Sequence, residues 1–132
     1  MLGNGAANTF YGRGGNDNLT GGGGNDIFAF NTAPGAGNVD TISDFATAAD
    51  KLWFDNAVFT AIGADGAFAA ANFRSGAGVT TAGDATDRLI YDTTTGDLYY
   101  DADGTGATAA VKVATLFGVA AATLAATDVQ IV

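Results

Sequence analysis

A nine-residue repeat near the start of the chain constrains the fold more than any other feature. Cut from Gly3, three successive segments read GNGAANTFY, GRGGNDNLT and GGGGNDIFA. The first position is always glycine, the sixth is Asn8, Asp17 or Asp26, and the eighth is hydrophobic. Self-similarity at a fixed short period is typical of coiled architectures in which each unit packs against its neighbours.

Each position of the repeat has a physical role. Glycine permits left-handed backbone angles and leaves peptide carbonyls exposed in a tight loop. The hydrophobic residues Phe10, Leu19 and Phe28 fall in short extended segments and are expected to face inward. One unit is therefore a loop followed by a short strand, and two units complete one coil.

This geometry predicts how the acidic positions meet. Units one and three stack on the same side of the coil, which brings Asn8 near Asp26. Asp17 has no repeat partner, because the matching position further along the chain is Gly35. We expect Asp17 to find ligands in the segment that ends at Asp44. A site made only of carbonyl and carboxylate oxygens suits a hard cation, above all calcium.

The glycine content makes a bound cation valuable for folding. Residues 3–29 contain nine glycines in 27 positions, and at roughly 0.5–1 kcal/mol of extra ordering cost each they oppose folding by about 5–9 kcal/mol. Three inward hydrophobic side chains contribute roughly 1.5–3 kcal/mol apiece. These two sums nearly cancel before ordinary chain entropy is counted, so the binding energy of a cation would become folding energy.

Other interpretations of the glycines fit the sequence less well. A flexible linker would lack the regularly spaced hydrophobic residues and the repeated aspartate. A phosphate-binding P-loop needs Gly-Lys-Ser/Thr, and no lysine occurs before Lys51. A dinucleotide-binding loop needs a helix after the glycines, and the sequence IFAFNTAPGAG that follows is not helical in pattern.

Eleven residues are predicted as calcium ligands. They are repeat residues and two aspartates beyond the repeats: Gly3, Gly5, Asn8, Gly12, Gly14, Asp17, Gly22, Gly24, Asp26, Asp40 and Asp44. For the last two, the alternative is that their carboxylates only cap turns. The sequence YYDADGTG resembles the start of an EF-hand loop, but Tyr99 and Ala110 then occupy ligand positions. A turn between strands is therefore predicted there.

The composition excludes several classes of function. All 14 acidic residues are aspartate, and histidine and cysteine are absent, which removes thiol chemistry and the commonest general base and zinc ligand. Aspartate without glutamate favours turns over helices. Five scattered cations against a net charge of –9 disfavour nucleic-acid binding. We expect no N-terminal signal peptide and no membrane insertion, because no apolar run has the required pattern or length.

The repeat resembles the calcium-binding nonapeptide G-G-x-G-x-D-x-U-x of RTX proteins. GGGGNDIFA matches every defined position, GRGGNDNLT departs at Arg13, and GNGAANTFY departs at Asn4, Ala6 and Asn8. The segments that follow, NVDTISDF, ADKLWFD, the DRLIYD to VATL region and TDVQIV, resemble the C-terminal region of serralysin-type secreted metalloproteases. The resemblance spans essentially the whole chain.

This resemblance implies a fold and a biological setting. It implies an all-β chain in which a short parallel β-roll at residues 3–29 continues into an antiparallel β-sandwich at 30–132. It also implies export from a Gram-negative bacterium by a type I secretion apparatus of ABC transporter, adaptor and outer-membrane channel. Serralysin catalysis needs an H-E-x-x-H zinc motif, so no enzyme activity is expected in this chain; a cargo domain is expected upstream.

The C-terminal residues are predicted to form the uncleaved secretion signal of such a module. They are an acid followed by hydrophobic residues: Asp128, Val129, Ile131 and Val132. Gln130 interrupts the hydrophobic run that is usual in the family. The alternative, which is compatible with the first, is that VQIV is the last strand. The expected protein is secreted and extracellular, and folds when it meets calcium outside the cell.

Secondary structure outside the repeats is read from pattern alone. Strands are predicted at Ile27–Phe30, in KLWFDNAVF, in AAVKVATLFG and at the C-terminus, with a hairpin formed by RLIYD and DLYYD. Short helices are predicted at about Ala67–Phe73 and in AAATLAATD.

Two other functions remain open from the sequence. The first is an accessory module of a secreted protease, lyase or epimerase that contributes polysaccharide or substrate binding. The second is the tail of an adhesin or surface-layer protein.

Overall fold

A computed structural model describes residues 1–118 and 123–132 and shows an all-β protein. Its strands, in chain order, are β1 (Thr9–Tyr11), β2 (Asn18–Leu19), β3 (Ile27–Phe30), β4 (Asp40–Ile42), β5 (Lys51–Phe54), β6 (Gly66–Ala67), β7 (Phe73–Gly76), β8 (Leu89–Asp92), β9 (Asp97–Tyr100), β10 (Val111–Leu116) and β11 (Val129–Ile131). Within these described residues, helical structure is confined to single 3-10 turns, including Ala70–Asn72 and Ala126–Asp128. No helix in the described ranges has the length and apolar character needed to cross a membrane.

The strands form two sheets. The five-stranded sheet has the order β1-β3-β5-β11-β6, and the six-stranded sheet has the order β2-β4-β10-β9-β8-β7. In the first sheet, β1, β3, β5 and β11 are parallel and only β6 is antiparallel. In the second, β2, β4 and β10 are parallel, while β9 is antiparallel to both of its neighbours.

The chain alternates between the two sheets over its first five strands. Each short strand lies in the sheet opposite to the strand before it, as the loop-and-strand unit predicts. Stacking within the first sheet follows the predicted spacing, since Phe10 of β1 lies opposite Phe28 of β3. Both side chains are buried, their rings stack with centroids 5.1 Å apart, and Leu19 of β2 is also buried. The inward positions of the repeat are therefore confirmed.

One hydrophobic core joins the two sheets. It contains side chains from both, among them Phe28 and Leu52 of the first sheet and Ile42 and Leu98 of the second. Strands from residues 3–29 and from residues 30–132 contribute to the same core. Burial of this apolar surface is the main force that holds the sheets together.

The structure corrects the prediction that residues 30–132 form an antiparallel sandwich. The sheets are mixed, because β5 pairs in parallel with β11, β4 with β10, and β7 with β8. Parallel neighbours require long crossover connections, and the local patterns used for the sequence analysis carry no signal for such distant pairings. The predicted hairpin is confirmed as the antiparallel pair of β8 and β9.

Three element boundaries also differ from expectation. The strand in KLWFDNAVF ends at Phe54, because the Asp55 carboxylate accepts the Ala57 N–H and the Asp55 carbonyl accepts the N–H of Phe59, which forms a turn. The helix predicted at about 67–73 is a single 3-10 turn between β6 and β7. The helix predicted in AAATLAATD falls partly on residues 119–122, outside the described residues, and its end is a 3-10 turn.

Candidate metal-binding loops

Two rows of loops carry the predicted ligands. We define the first loop row as the loops that lead into β1, β3 and β5 and contain Asn8, Asp26 and Asp50. The second loop row leads into β2 and β4 and contains Asp17; we include in it Asp40, the first residue of β4. Because the strands within each sheet are parallel here, their N-terminal ends meet at one edge and the loops stack on one another.

A ladder of hydrogen bonds runs through the first loop row. The Asn8 N–H donates to Oδ1 of Asp26 at 2.8 Å, and the Asp26 N–H donates to Oδ1 of Asp50 at 2.9 Å. The predicted proximity of Asn8 and Asp26 is confirmed. Asp26 also has an acidic neighbour on its other side, Asp50, which was not among the predicted ligands.

The second loop row repeats the same contact. The Asp17 N–H donates to Oδ1 of Asp40 at 3.1 Å, so the structure brings together the two residues that the sequence suggested as partners. Asp44 instead contacts the loop that leads into β3, which belongs to the first loop row. Its two carboxylate oxygens accept the N–H groups of Gly21 and Gly22, each at 2.8 Å, which is the turn-capping role considered as the alternative for this residue.

The ladder carboxylates are buried without cationic partners. Asp26, Asp40 and Asp50 are only 1%, 5% and 3% exposed. Within residues 1–118 and 123–132, the ion pairs join Lys51 to Asp128 and Lys112 to Asp97. Buried carboxylates are costly unless they are hydrogen-bonded and their charge is compensated, and the described part of the chain provides these three with hydrogen bonds but with no ion pair.

Burial and mutual repulsion raise two of the carboxylate pKa values. Desolvation raises the pKa of Asp40, and the negative charge of Asp17 adds to the effect, while the hydrogen bond from the Asp17 N–H opposes it. Desolvation likewise raises the pKa of Asp50, with further contributions from the charges of Asp26 and Asp44, against the hydrogen bonds from Ala46 and Asp26. The loops therefore concentrate negative charge that a cation would relieve.

The glycines of the second and third repeats adopt a recurring backbone conformation. Positive φ values occur at the second position, in Arg13 (+67°) and Gly22 (+92°), and at the fourth, in Gly15 (+117°) and Gly24 (+109°). The departure from the repeat at Arg13 therefore keeps the conformation that glycine normally supplies, as a non-glycine residue in the left-handed region.

Two glycines at the first repeat position lie directly against ladder carboxylates. A Cβ atom on Gly21 would collide with Oδ2 of Asp26, and one on Gly12 would collide with Oδ2 of Asp40. The Oδ1 atoms of the same carboxylates accept the ladder hydrogen bonds. Glycine is therefore needed where the backbone closes over each carboxylate.

The remaining predicted glycine ligands fall into two groups. Gly22 and Gly24 pack against the backbone of the first repeat at Asn4 and Ala6, and the Gly3 N–H donates to the Thr20 carbonyl. Gly5 and Gly14 face open space.

Asp50 is the residue that the sequence analysis missed as a ligand candidate. Asp-Lys-Leu-Trp at 50–53 has the same pattern as Asp-Ile-Phe-Ala at 26–29, and both strands begin after the aspartate. The two aspartates are separated by 24 residues, whereas Asn8 and Asp26 are separated by 18. A nine-residue period predicts a partner 18 residues away, and therefore does not identify Asp50, which lies 24 residues after Asp26.

Three of the four predicted secretion-signal residues are buried. Asp128, Val129 and Ile131 are inaccessible, and Val132 is exposed. The Asp128 carboxylate accepts the N–H groups of Ala48 and Ala125, and it forms the ion pair with Lys51 at 3.8 Å. Strand β11 lies between β5 and β6, so VQIV is also a strand, as the alternative reading states.

The DADGTG segment forms a turn between β9 and β10, as predicted. Oδ1 of Asp101 accepts the N–H groups of Asp103 and Gly104, which closes the turn. A cavity of about 440 Å³ opens beside it, and none of its lining residues belongs to either loop row.

The loop rows offer carbonyl and carboxylate oxygens, which are the donors that a hard cation takes, but they offer few carboxylates at any one place. No group of three or more acidic side chains in the described ranges is arranged to hold a metal ion. A cation in either loop row would therefore take two carboxylates at most, from Asp26 and Asp50 or from Asp17 and Asp40, and would complete its shell with backbone carbonyls.

Comparisons with protein-family models, curated proteins and solved structures give no match to this chain.

Proposed function

We propose that this chain is a non-catalytic calcium-binding module of the RTX type. The observation that carries the proposal is the pair of aspartate contacts, Asp26 with Asp50 and Asp17 with Asp40. In these contacts Asp26, Asp40 and Asp50 are buried and have no cationic partner among the described residues. In this proposal, the parallel coils at the start of the chain are a short β-roll that continues into the mixed sheets.

Calcium suits these loops better than magnesium. Calcium accepts six to eight oxygen ligands in flexible geometry, including backbone carbonyls, whereas magnesium demands near-ideal octahedral geometry and keeps several waters. Two carboxylates together with loop carbonyls would make an irregular ligand shell, which calcium tolerates and magnesium does not. A bound calcium ion would supply the positive charge that the buried carboxylates lack.

The chain's own residues then couple binding to folding. The Asp26 N–H donates to the Asp50 carboxylate across two neighbouring coils, and the charges of the two carboxylates repel each other unless a cation is present. Neutralising that repulsion stabilises the folded coils over the unfolded chain, in which the ligands are dispersed. Extracellular calcium modules have dissociation constants of about 10⁻⁴–10⁻³ M, so the folded state would be favoured outside the cell.

We further propose that residues Asp128 to Val132 carry a type I secretion signal. The supporting observations are the acid-then-hydrophobic pattern and the placement of these residues within the fold. A buried signal is accessible only while the chain is unfolded, which agrees with passage of an unfolded chain through an ABC transporter, adaptor and outer-membrane channel. The cargo of such a module would lie upstream.

Thermal unfolding with and without calcium tests the metal function. A single site occupied at 100 times its dissociation constant stabilises the fold by about 2.7 kcal/mol, which for a chain of this size raises Tm by about 10 °C. We expect this rise in calcium relative to chelator, and a much smaller rise in magnesium. Equal Tm values in calcium and chelator would refute the proposal.

Matched charge variants locate the response. Asp26→Asn removes a ladder carboxylate and is expected to abolish most of the calcium-induced rise in Tm. Asp65→Asn removes the same charge from an exposed side chain that bonds to Asn56, and should leave the rise intact. Equal loss in both variants would mean that the calcium effect is nonspecific screening.

Export from cells that contain a type I apparatus tests the secretion signal. Deletion of residues 128–132 is expected to retain the protein inside the cell. Because the deletion also removes β11, Phe54→Ala serves as a control that weakens the fold and keeps the tail. We expect that variant to be exported. Normal export of the truncated chain would contradict the assignment of the signal.

A further inference from the structure

The first loop of the chain differs in conformation from the two that follow. In the second and third repeats, the second and fourth positions have positive φ. The corresponding residues of the first repeat, Asn4 and Ala6, do not. The first loop therefore does not present its carbonyls as the other two do, although it stacks directly on the third repeat.

Side-chain amides close this first loop on itself. Oδ1 of Asn8 accepts the Asn4 N–H at 3.0 Å, and Nδ2 of Asn8 donates to the Ala7 carbonyl at 3.3 Å. Oδ1 of Asn4 accepts the Ala6 N–H at 2.8 Å. At the same time, the backbone N–H of Asn8 holds the ladder contact to Asp26. Both polar ends of the Asn8 side chain are thus used within its own loop.

We infer that Asn4 and Asn8 close the first loop without a metal ion, and we call this amide-closed loop the cap. An amide supplies a donor as well as an acceptor and carries no charge, whereas a carboxylate only accepts. Nδ2 of Asn8 donates to the Ala7 carbonyl. An aspartate at this position could not donate, so the Ala7 carbonyl would remain available to bind a cation. The contact between β1 and β3 is therefore closed without metal, and the demand for a cation begins at Asp26 and Asp50.

This assignment changes the meaning of the departures from the repeat. Asn4, Ala6 and Asn8 are the three positions at which the first segment differs from the RTX pattern. The side-chain oxygens of Asn4 and Asn8 accept the hydrogen bonds that close the loop, and the Ala6 N–H donates one of these bonds. The first segment is a distinct structural unit that keeps the coil register and omits the metal site.

The variant Asn8→Asp tests the cap, and its calcium arm rests on the proposed function. The variant loses the donor to Ala7 and adds a negative charge beside Asp26. In chelator, we expect its Tm to fall by about 3–8 °C relative to the wild type. In calcium, we expect recovery, so that the calcium-induced rise exceeds that of the wild type. Asn72→Asp, in the 3-10 turn Ala70–Asn72 outside both loop rows, is the matched charge control and should shift Tm by only about 1–2 °C in either condition.

A second variant separates the cap from the added charge. Asn8→Ala removes the amide hydrogen bonds without introducing a carboxylate, and is expected to lower Tm equally in calcium and in chelator. If neither Asn8 variant differs from Asn72→Asp in chelator, the cap is refuted. If the wild type responds to calcium and Asn8→Asp responds no more strongly, the amide does not stand in for a cation, and the inference is likewise refuted. If the wild type does not respond to calcium but both Asn8 variants lose stability in chelator, the proposed function fails while the cap holds.

Discussion

Gly22→Ala is expected to destabilise the protein by about 2–6 kcal/mol. Gly22 has φ of +92°, where an alanine is strained by roughly 1–3 kcal/mol. Its added Cβ would also collide with the Asn4 carbonyl oxygen and lie 3.1 Å from the Asn4 carbonyl carbon, so the first and third repeats must separate. Forced overpacking of this kind costs about 1–3 kcal/mol. The measurement is denaturant unfolding of both proteins in the same calcium concentration.

Gly23→Ala in the same loop is the control for this substitution. The nearest atom to its added Cβ is the Cα of Gly5 at 3.7 Å, which is an ordinary contact, and Gly23 does not have positive φ. The Gly23 N–H, which donates to the Asn4 carbonyl at 2.8 Å, is retained. We expect a change of at most about 1 kcal/mol, of either sign. Similar losses at both positions would show that the close approach of the two repeats does not limit stability.

Phe54→Ala is expected to lower the free energy of unfolding by about 3–5 kcal/mol. Phe54 is fully buried at the end of β5, where its ring stacks on Phe30 at 4.8 Å and meets the edge of Phe59 at 5.0 Å. Phe59 in turn contacts Tyr100 of the second sheet at 5.0 Å. Truncation therefore leaves a cavity in the chain of rings that links the two sheets. Denaturant unfolding measures the loss.

Phe117→Ala is the exposed counterpart. Its side chain is 51% accessible, and its structural contacts are backbone hydrogen bonds to Ile42 and Phe45, which alanine keeps. We expect a change within about 0.5 kcal/mol. If Phe54→Ala costs no more than Phe117→Ala, the aromatic contacts between the sheets do not stabilise the fold.

The repeat made the early part of the fold predictable from sequence. A fixed period determines which residues stack, so the inward positions of Phe10, Leu19 and Phe28 and the contact between Asn8 and Asp26 follow from counting. Because Asp17 lacks a repeat partner, a contact with the segment that ends at Asp44 was expected, and the structure shows that Asp40 provides it. Local alternation and turn residues were sufficient for the hairpin of β8 and β9.

The contacts that were not predicted join residues whose separation along the chain does not follow the nine-residue period. Asp50 lies in the first loop row after a coil that is longer than the repeat. Its position beside Asp26 follows from the pairing of Lys51 with Ile27, which only the structure shows. The parallel pairing of β11 with β5 joins segments about 75 residues apart, and local sequence patterns do not specify such partners. The amide closure at Asn8 also required side-chain geometry, because the sequence alone suggests a weakened repeat.

The position of β11 has a consequence for when the fold is completed. This strand is inserted between β5 and β6, and Gln130 faces Trp53 on one side and Ala67 on the other. At a synthesis rate of about 5–20 residues per second, the growing chain spends about 4–15 s between making β5 and making β11. During that interval, β5 and β6 have no strand between them and the first sheet is split. This sheet therefore cannot be completed before β11 has been made, however early its first coils form.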